Sequence, residues 1–397
     1  MSDSSGLAAT AGQAHTAWYN DERKRAVFFQ ILVLLGVIAL IAFFAYNAVV
    51  NLAERGIASG FGFLSATAGY GISFTLIPYQ ESDTHGYAFL VGLLNTVLVS
   101  FLGIIAATII GFILGVLRLS KNWMVNKVAY SYVEIVRNTP LLLQIIFWWS
   151  LFLNLPIVRQ ALDLGGGFYL SNRGVQAPTP ILEAGWQATP IAHLIGIIAT
   201  MILKRWAKAR QAQTGQTFPV GWAGLGLIVG MPVAVFLASG IPVTMQNPVL
   251  GGFNFRGGFN IPPEFFALWF ALTIYTAGFI AEIVRAGIQA VSYGQTEAAS
   301  ALGLSDNRTL RLVVIPQAMR VIMPPLTSQY LNLTKNSSLA VAIGYPDLVS
   351  ITAGTTLNQT GQAIEAISMT MAVYLTLSLL ISLIMNAYNR RIALVER

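Results

Sequence analysis

The sequence predicts an all-α integral membrane protein with about eight transmembrane helices, on three observations. Of 397 residues, 55% are hydrophobic and only 10% charged, with a mean hydropathy of +0.65. A soluble domain carries about 25% charged residues, so this chain needs lipid as part of its solvent. Eight apolar segments reach the roughly 20 residues of a bilayer-spanning helix: 27–50, 88–117, 128–154, 188–206, 221–240, 263–288, 314–340 and 366–388. Lys and Arg then gather between alternate segments, which sets an orientation.

The elements follow in order. The first span comes after Arg23, Lys24 and Arg25 and has no clear small-residue cleavage site, so it reads as an anchor rather than a signal peptide. The second holds Gly111 and Gly115, a small-xxx-small pair that permits close helix contact. The third contains Pro140, which predicts a kink or a new helix start, with Asn138 and Thr139 just before the break. Span 188–206 is short. The seventh carries Pro316, Pro324 and Pro325, and the last two predict a second break shortly before Gln329 and Asn332.

With the N-terminus in the cytoplasm, the inner segments hold Arg23, Lys24, Arg25, Arg118, Lys121, Lys127, Lys204, Arg205, Lys208, Arg210, Arg308, Arg311, Arg390, Arg391 and Arg397. The outer ones hold only Arg55, Arg159, Arg173 and Arg256. An even span count returns the C-terminus to the cytoplasm. The outer stretches 51–87, 155–187 and 241–262 are rich in Gly, Pro and aromatics. Loops of that length pack on helix ends or meet an external partner.

Several chemistries are excluded. Cysteine is absent, which removes disulfides and thiolate metal sites. The net charge of +7 is spread along the chain, so no nucleic acid partner is expected. There is no phosphate loop and no zinc-binding helix motif. A serine hydrolase built on Ser59 with His85 or His193 lacks a nucleophile elbow and an acid partner. A channel or ion-coupled secondary amino acid transporter predicts a filter loop or an internal repeat, and neither is evident.

Ionisable residues within spans are costly and mark candidate sites. Glu134 and Arg137 share one face of the third span, and Glu282 and Arg285 repeat the pattern in the sixth. The expectation is a single four-member ion network lining the inner pathway or gate. Broken helices expose backbone groups to polar ligands, which adds Asn138 and Thr139. Gln329, Asn332 and Lys335 recur at three-residue spacing and form a second candidate path.

One inner segment is polar and helix-favouring. Gln295, Thr296 and Glu297 predict a helix start, Ala298, Ala299, Ala301 and Leu302 continue it, and Gly303 ends it. Ala298, Ala301 and Leu302 share a face suited to docking in a shallow groove.

That segment, with Gly294, the run from Val314 to Ala318, and Pro324-Pro325-Leu326, resembles the cytoplasmic signature of binding-protein-dependent ABC importer permeases. Asn95-Thr96, Glu134, the stretch Arg137 to Leu141, Ala281 to Ile283, Arg285, Gly287 to Gln289 and Leu333 to Leu339 resemble its polar amino acid uptake branch. The resemblance covers 88–154 and 263–390, a five-helix core. It implies a type I ABC importer transmembrane fold with no cofactor on this chain, ATP and Mg being bound by a partner ATPase. It also implies ATPase docking through Gln295, Glu297, Ala298, Ala299, Leu302 and Gly303. The implied partners are an ATP-binding cassette ATPase dimer, a second homologous permease, a periplasmic amino acid binding protein and an L-amino acid substrate, in a bacterial inner membrane. Residues 1–87 add a span before the core, and 155–262 insert two more. This long form is similar to the larger permeases of general L-amino acid uptake systems. Lys335-Asn336-Ser337-Ser338 departs from the branch's more usual Lys-Asp-Thr-Ser, which weakens transfer of a substrate contact to Asn336.

Overall fold

A computed structural model describes residues 22–54 and 59–392. The N-terminal tail with His15, and also Arg55 and Arg397, lie outside the described residues. The apolar runs become helices in chain order: α1 Glu22–Glu54, α2 His85–Leu117, α3 Trp123–Asn138, α4 Leu141–Leu153, α5 Ala188–Thr214, α6 Val220–Leu225, α7 Met231–Ala238, α8 Pro263–Gln289, α9 Tyr293–Ala301, α10 Asp306–Thr309, α11 Ile315–Asn336, α12 Leu357–Thr360 and α13 Ala363–Ile392. Among the described residues, six helices are long and apolar enough to cross a membrane, or seven if a bent pair counts as one span.

Two expected spans differ in form. The third is a pair, α3 and α4, bent by 105°. The cause is Pro140, which cannot donate to the helix and pushes Thr139 into extended backbone. The seventh span forms as α11, but Gln317, Arg320, Gln329, Asn332 and Lys335 dilute its apolar character. The break expected at Pro324-Pro325 does not occur, because α11 runs through both prolines. The helical path changes after Asn336 instead, where a tighter 3₁₀ segment runs from Ser337 to Ile343. Two wide π-helical turns, Gly226–Gly230 and Leu310–Val314, each end two residues before a proline, Pro232 and Pro316. Widening the turn relieves the clash of a proline ring with the preceding carbonyls.

The fold is mostly helical, as expected, and the loops at 162–182 and 243–261 add short strands to it. These loops contain β1 Leu162–Gly165, β2 Phe168–Ser171, β3 Gly174–Ala177, β4 Thr179–Leu182, β5 Val243–Gln246, β6 Val249–Gly251, β7 Asn254–Arg256 and β8 Phe259–Ile261. β1, β2, β3 and β8 form an antiparallel sheet, and β4–β5 and β6–β7 form two ribbons. Gly174 makes the β3–β8 pairing possible: a Cβ there would lie 2.0 Å from the Ile261 carbonyl oxygen. Strands here bring the ends of α4, α5, α7 and α8 together, because the chain enters and leaves those helices through them.

The core centres on α8, which packs against α2, α3, α4 and α11. Leu268, Leu272, Ile280 and Val284 of α8 are fully buried. The small pair on α2 serves this contact. A Cβ at Gly111 would lie 2.6 Å from Ile280 Cβ, and one at Gly115 would lie 2.7 Å from Val284 Cβ. Gly115→Ala is therefore expected to destabilise the permease by about 1–3 kcal/mol through overpacking. Gly36→Ala in α1, where a Cβ meets nothing within 4 Å, serves as the neutral control. Thermal unfolding in detergent checks the pair, and equal midpoints would contradict the packing assignment.

The loop 59–84 is bound to the bundle rather than laid over it. Phe74 enters the core beside Phe259, Phe265 and Tyr345. Tyr70 and Thr356 hydroxyls bond at 2.9 Å, and the Gly60 amide donates to the Glu365 carboxylate.

Candidate functional site

The polar segment forms α9, and its geometry refines the expected face. The helix starts at Tyr293 after Ser292, two residues before the expected Gln295. Glu297 consequently sits in mid-helix rather than at the start. Gly303 has a left-handed φ of +76°. Its amide donates to Ser300 O at 2.9 Å and the Leu304 amide to Ala299 O at 3.1 Å, a glycine-terminated helix end. Ala298, Ala301 and Leu302 are exposed, Leu302 by 82%. Ala299 is 4% exposed and faces the chain's own body, so it leaves the docking face. Gln295 is held from α11, where Gln317 Nε2 donates to its Oε1 at 3.2 Å.

The break between α3 and α4 offers fewer free backbone groups than expected. Asn138 Nδ2 donates to Glu134 O at 2.8 Å, and Thr139 Oγ1 donates to Ile135 O at 2.8 Å. Gln144 Nε2 donates to Val136 O at 2.9 Å and Thr139 O at 3.0 Å. Val136 O is the carbonyl that Pro140, lacking an N–H, leaves unpaired, and Gln144 satisfies it, while Asn138 and Thr139 add side-chain donors to the turn before it. Asn138 and Thr139 therefore act as caps for α3. Gln144, one turn into α4, completes the cap and carried no recognisable signal in the sequence.

The four-member ion network does not form. Glu282 binds Arg118 at the end of α2 and Arg285 on its own helix, the latter also through Nε at 3.2 Å to each carboxylate oxygen. Arg137 turns away, with its guanidinium 5.1 Å from the Phe279 ring centroid. Glu134 accepts from Asn138 Nδ2 at 3.3 Å. Three-residue spacing predicted the Glu282–Arg285 pair, whereas Glu134 and Arg137 on α3 each take a different partner. Arg118 had been assigned to a loop.

The polar stripe on α11 is also divided. Lys335 lines a cavity of about 490 Å³ with Ser338, Val349, Thr370, Met371, Tyr374, Leu375 and Ser378. Ser378 Oγ is buried there with no hydrogen-bond partner among the described residues. Gln329 and Asn332 do not line this cavity, since the residues on the far wall come from α13. Behind Tyr374 lies Asp347, fully buried, accepting from Ser350 N at 2.8 Å and Tyr374 OH at 3.4 Å. Asn95 Nδ2 bridges Phe74 O and Pro346 O at 3.0 and 2.8 Å, and Thr96 Oγ1 accepts from Leu348 N at 3.0 Å. This polar knot ties α2, the loop 59–84 and α13 beside the groove. Asp347 was missed because Gly344-Tyr345-Pro346 reads as a turn outside any span.

The hydrolase alternative has no geometry. His85 is buried between Phe63 and Tyr70, with ring centroids 6.2 and 5.9 Å away, and His193 lines a separate cavity on α5. No cluster of metal ligands occurs among the described residues.

A helical bundle with a broken span, an open groove beside Lys335 and an exposed short helix fits a solute permease worked by an outside partner. The sequence pattern of the family described as binding-protein-dependent transport system inner membrane component matches residues 107–394. The general L-amino acid transport system permease AapQ of Rhizobium johnstonii is 51% identical over 396 residues, covering 100% of this chain and 98% of that relative. The glutamate/glutamine/aspartate/asparagine transport system permease BztB of Rhodobacter capsulatus is 45% identical over 409 residues, covering 95% and 96%. The chain belongs to the family of binding-protein-dependent transport system inner membrane components. It is a multi-pass inner membrane permease subunit of an ABC importer, and ATP hydrolysis belongs to a separate subunit.

Proposed function

We propose that this chain conducts L-amino acids, with a range that includes polar ones, through the inner membrane, as one of two paired homologous permeases. A periplasmic binding protein delivers the substrate, and an ATPase dimer holding ATP and Mg engages α9. Both termini lie on the ATPase side. Core segments 88–154 and 263–397 form the permease unit, with 1–87 and 155–262 as additions to it. The named substrates of the relatives support the cargo class.

The observation that carries this reading is the Lys335 cavity. Lys335 is exposed on an open groove that Ser338, Thr370, Tyr374 and Ser378 also line, and its ammonium suits the carboxylate that every amino acid carries. The apolar wall of Val349, Met371 and Leu375 leaves the side-chain subsite tolerant. A drug-sized pocket is about 300–1,000 Å³, so a cavity of about 490 Å³ admits an amino acid with water.

Lys335→Met removes the charge at nearly constant length. In proteoliposomes holding the whole complex, it is expected to reduce ATP-driven uptake of all substrates at least about tenfold, the loss of one charge-assisted contact. Lys335→Arg is expected to retain more uptake than Lys335→Met. Unchanged uptake in Lys335→Met would remove the cavity from the pathway.

A further inference from the structure

We propose that the inner end of α5 is a binding site for anionic phospholipid headgroups, which fastens the inserted helix pair to the inner leaflet. The proposal rests on the orientation above, in which α5 ends on the same side as α2 and α8.

The inserted pair is a wing. α5 packs on α6, on α7 and on the turn between them. A Cβ at Gly196 would fall 2.1 Å from the Leu227 carbonyl oxygen, so the two helices touch through backbone. α5 has 27 residues, about 40 Å at 1.5 Å per residue, whereas the paired span Val220–Ala238 has 19, about 28 Å. The shorter helix matches a hydrocarbon core of about 30 Å. The last turns of α5 therefore stand in the headgroup region.

Those turns are basic and aromatic. Lys204 and Lys208 are one helical turn apart and Arg205 flanks them, all three exposed. No hydrogen bond or ion pair holds them among the described residues. No Asp or Glu occurs anywhere in residues 184–263, so the wing cannot neutralise itself. In the core, by contrast, Glu282 takes up both Arg118 and Arg285. Like charges one turn apart are unfavourable in a helix without a counter-charge, and phosphate supplies one.

The aromatic part fixes the depth. Trp206 meets Phe218 edge-on with centroids 5.5 Å apart, and Trp222 is 79% exposed. Arg210 lies 5.4 Å from the Trp206 ring and donates to Gln216 Oε1 at 2.9 Å, which braces the turn. Tryptophans are enriched at membrane interfaces, and clustered Lys and Arg beside a span attract anionic lipid. Orientation alone needs an excess of cations. It does not need them clustered within one helical turn with no acid anywhere in residues 184–263.

The test uses the purified complex of permeases and ATPase. Native mass spectrometry counts lipids retained from mixed phosphatidylcholine and cardiolipin nanodiscs. The wild-type complex is expected to retain cardiolipin over phosphatidylcholine, and Lys204→Gln/Arg205→Gln/Lys208→Gln to lose most of that preference. Lys204→Arg/Lys208→Arg, which keeps the charge, should keep it, and this variant separates lost binding from lost folding. Equal retention by the Gln variant, or no wild-type preference, overturns the proposal. Loss of the ATPase from the Gln variant with lipid retention unchanged also overturns it, because the face would then be a protein contact. Protease access to residues 211–219 from the outer side would instead sink the orientation beneath it.

Discussion

Exchanging Leu302 for glutamate is expected to leave the permease folded and inserted while cutting ATP-driven uptake by about 10- to 100-fold. Leu302 is 82% exposed at the end of α9, where it contributes nothing to the chain's own core. Burying a leucine in a partner's groove is worth about 1.5–3 kcal/mol, and each 1.4 kcal/mol is about tenfold in affinity. A carboxylate in its place loses that gain and adds a desolvation penalty. Ala298 and Ala301 leave room for close approach, so Ala298→Leu should interfere by bulk alone. Gly303→Asp works through a different route. Its φ of +76° is strained for any side chain, although a Cβ there meets nothing within 4 Å. Aspartate tolerates that region better than most residues, so insertion should survive while the helix end is reshaped. The measurements are membrane insertion, ATPase co-purification and uptake in proteoliposomes. Normal ATP-driven uptake in Leu302→Glu would contradict the docking role.

How much of this was legible in the sequence depends on the range of the interaction. Apolar runs located the long helices because a helix periodicity and a bilayer length are local properties. Pro140 announced the bend for the same reason, and Gly303 announced the end of α9. The strands at 162–182 and 243–261 were not legible: each has three or four residues, and pairings such as Val175 with Ile261 join positions far apart in the chain. A two-residue alternation needs more length than that to register. Pro324 and Pro325 gave a false break, since tertiary packing of Ile322, Met323 and Leu326 in the core overrides local preference. The site was legible residue by residue and not as a constellation. Spacing identified Glu282 with Arg285, whereas Arg118 reached Glu282 from another helix. Lys335 was recognised as an ionisable residue within a span, but the groove wall on α13 and the neighbouring Asp347 were not.

Glu282→Gln is the second large expected effect, and it separates structure from gating. Glu282 is the shared acceptor of two guanidinium groups, and the Arg118 side chain is only 7% exposed. Removing one partner of a fully buried pair costs about 3–5 kcal/mol, because the remaining charge stays desolvated. Glu282 keeps 26% exposure, so water reaches the site and the expected loss falls to about 2–4 kcal/mol. The arrangement predicts an asymmetry. Arg118→Gln leaves Glu282 paired with Arg285, and Arg285→Gln leaves it paired with Arg118. Each is therefore expected to destabilise less than Glu282→Gln, which strands both cations. Thermal unfolding of the three variants in one detergent ranks them. A purely structural tie between the ends of α2 and α8 makes uptake per folded complex nearly constant across the series. A gate requires the opposite: uptake falling in Arg285→Gln, the more exposed partner, at unchanged unfolding temperature. Burial favours the tie, since the deeper partner, Arg118, lies on α2 and draws the ends of the two most closely packed helices together. Equal stability losses in all three variants would mean that the carboxylate is not shared, and the network would have to be redrawn.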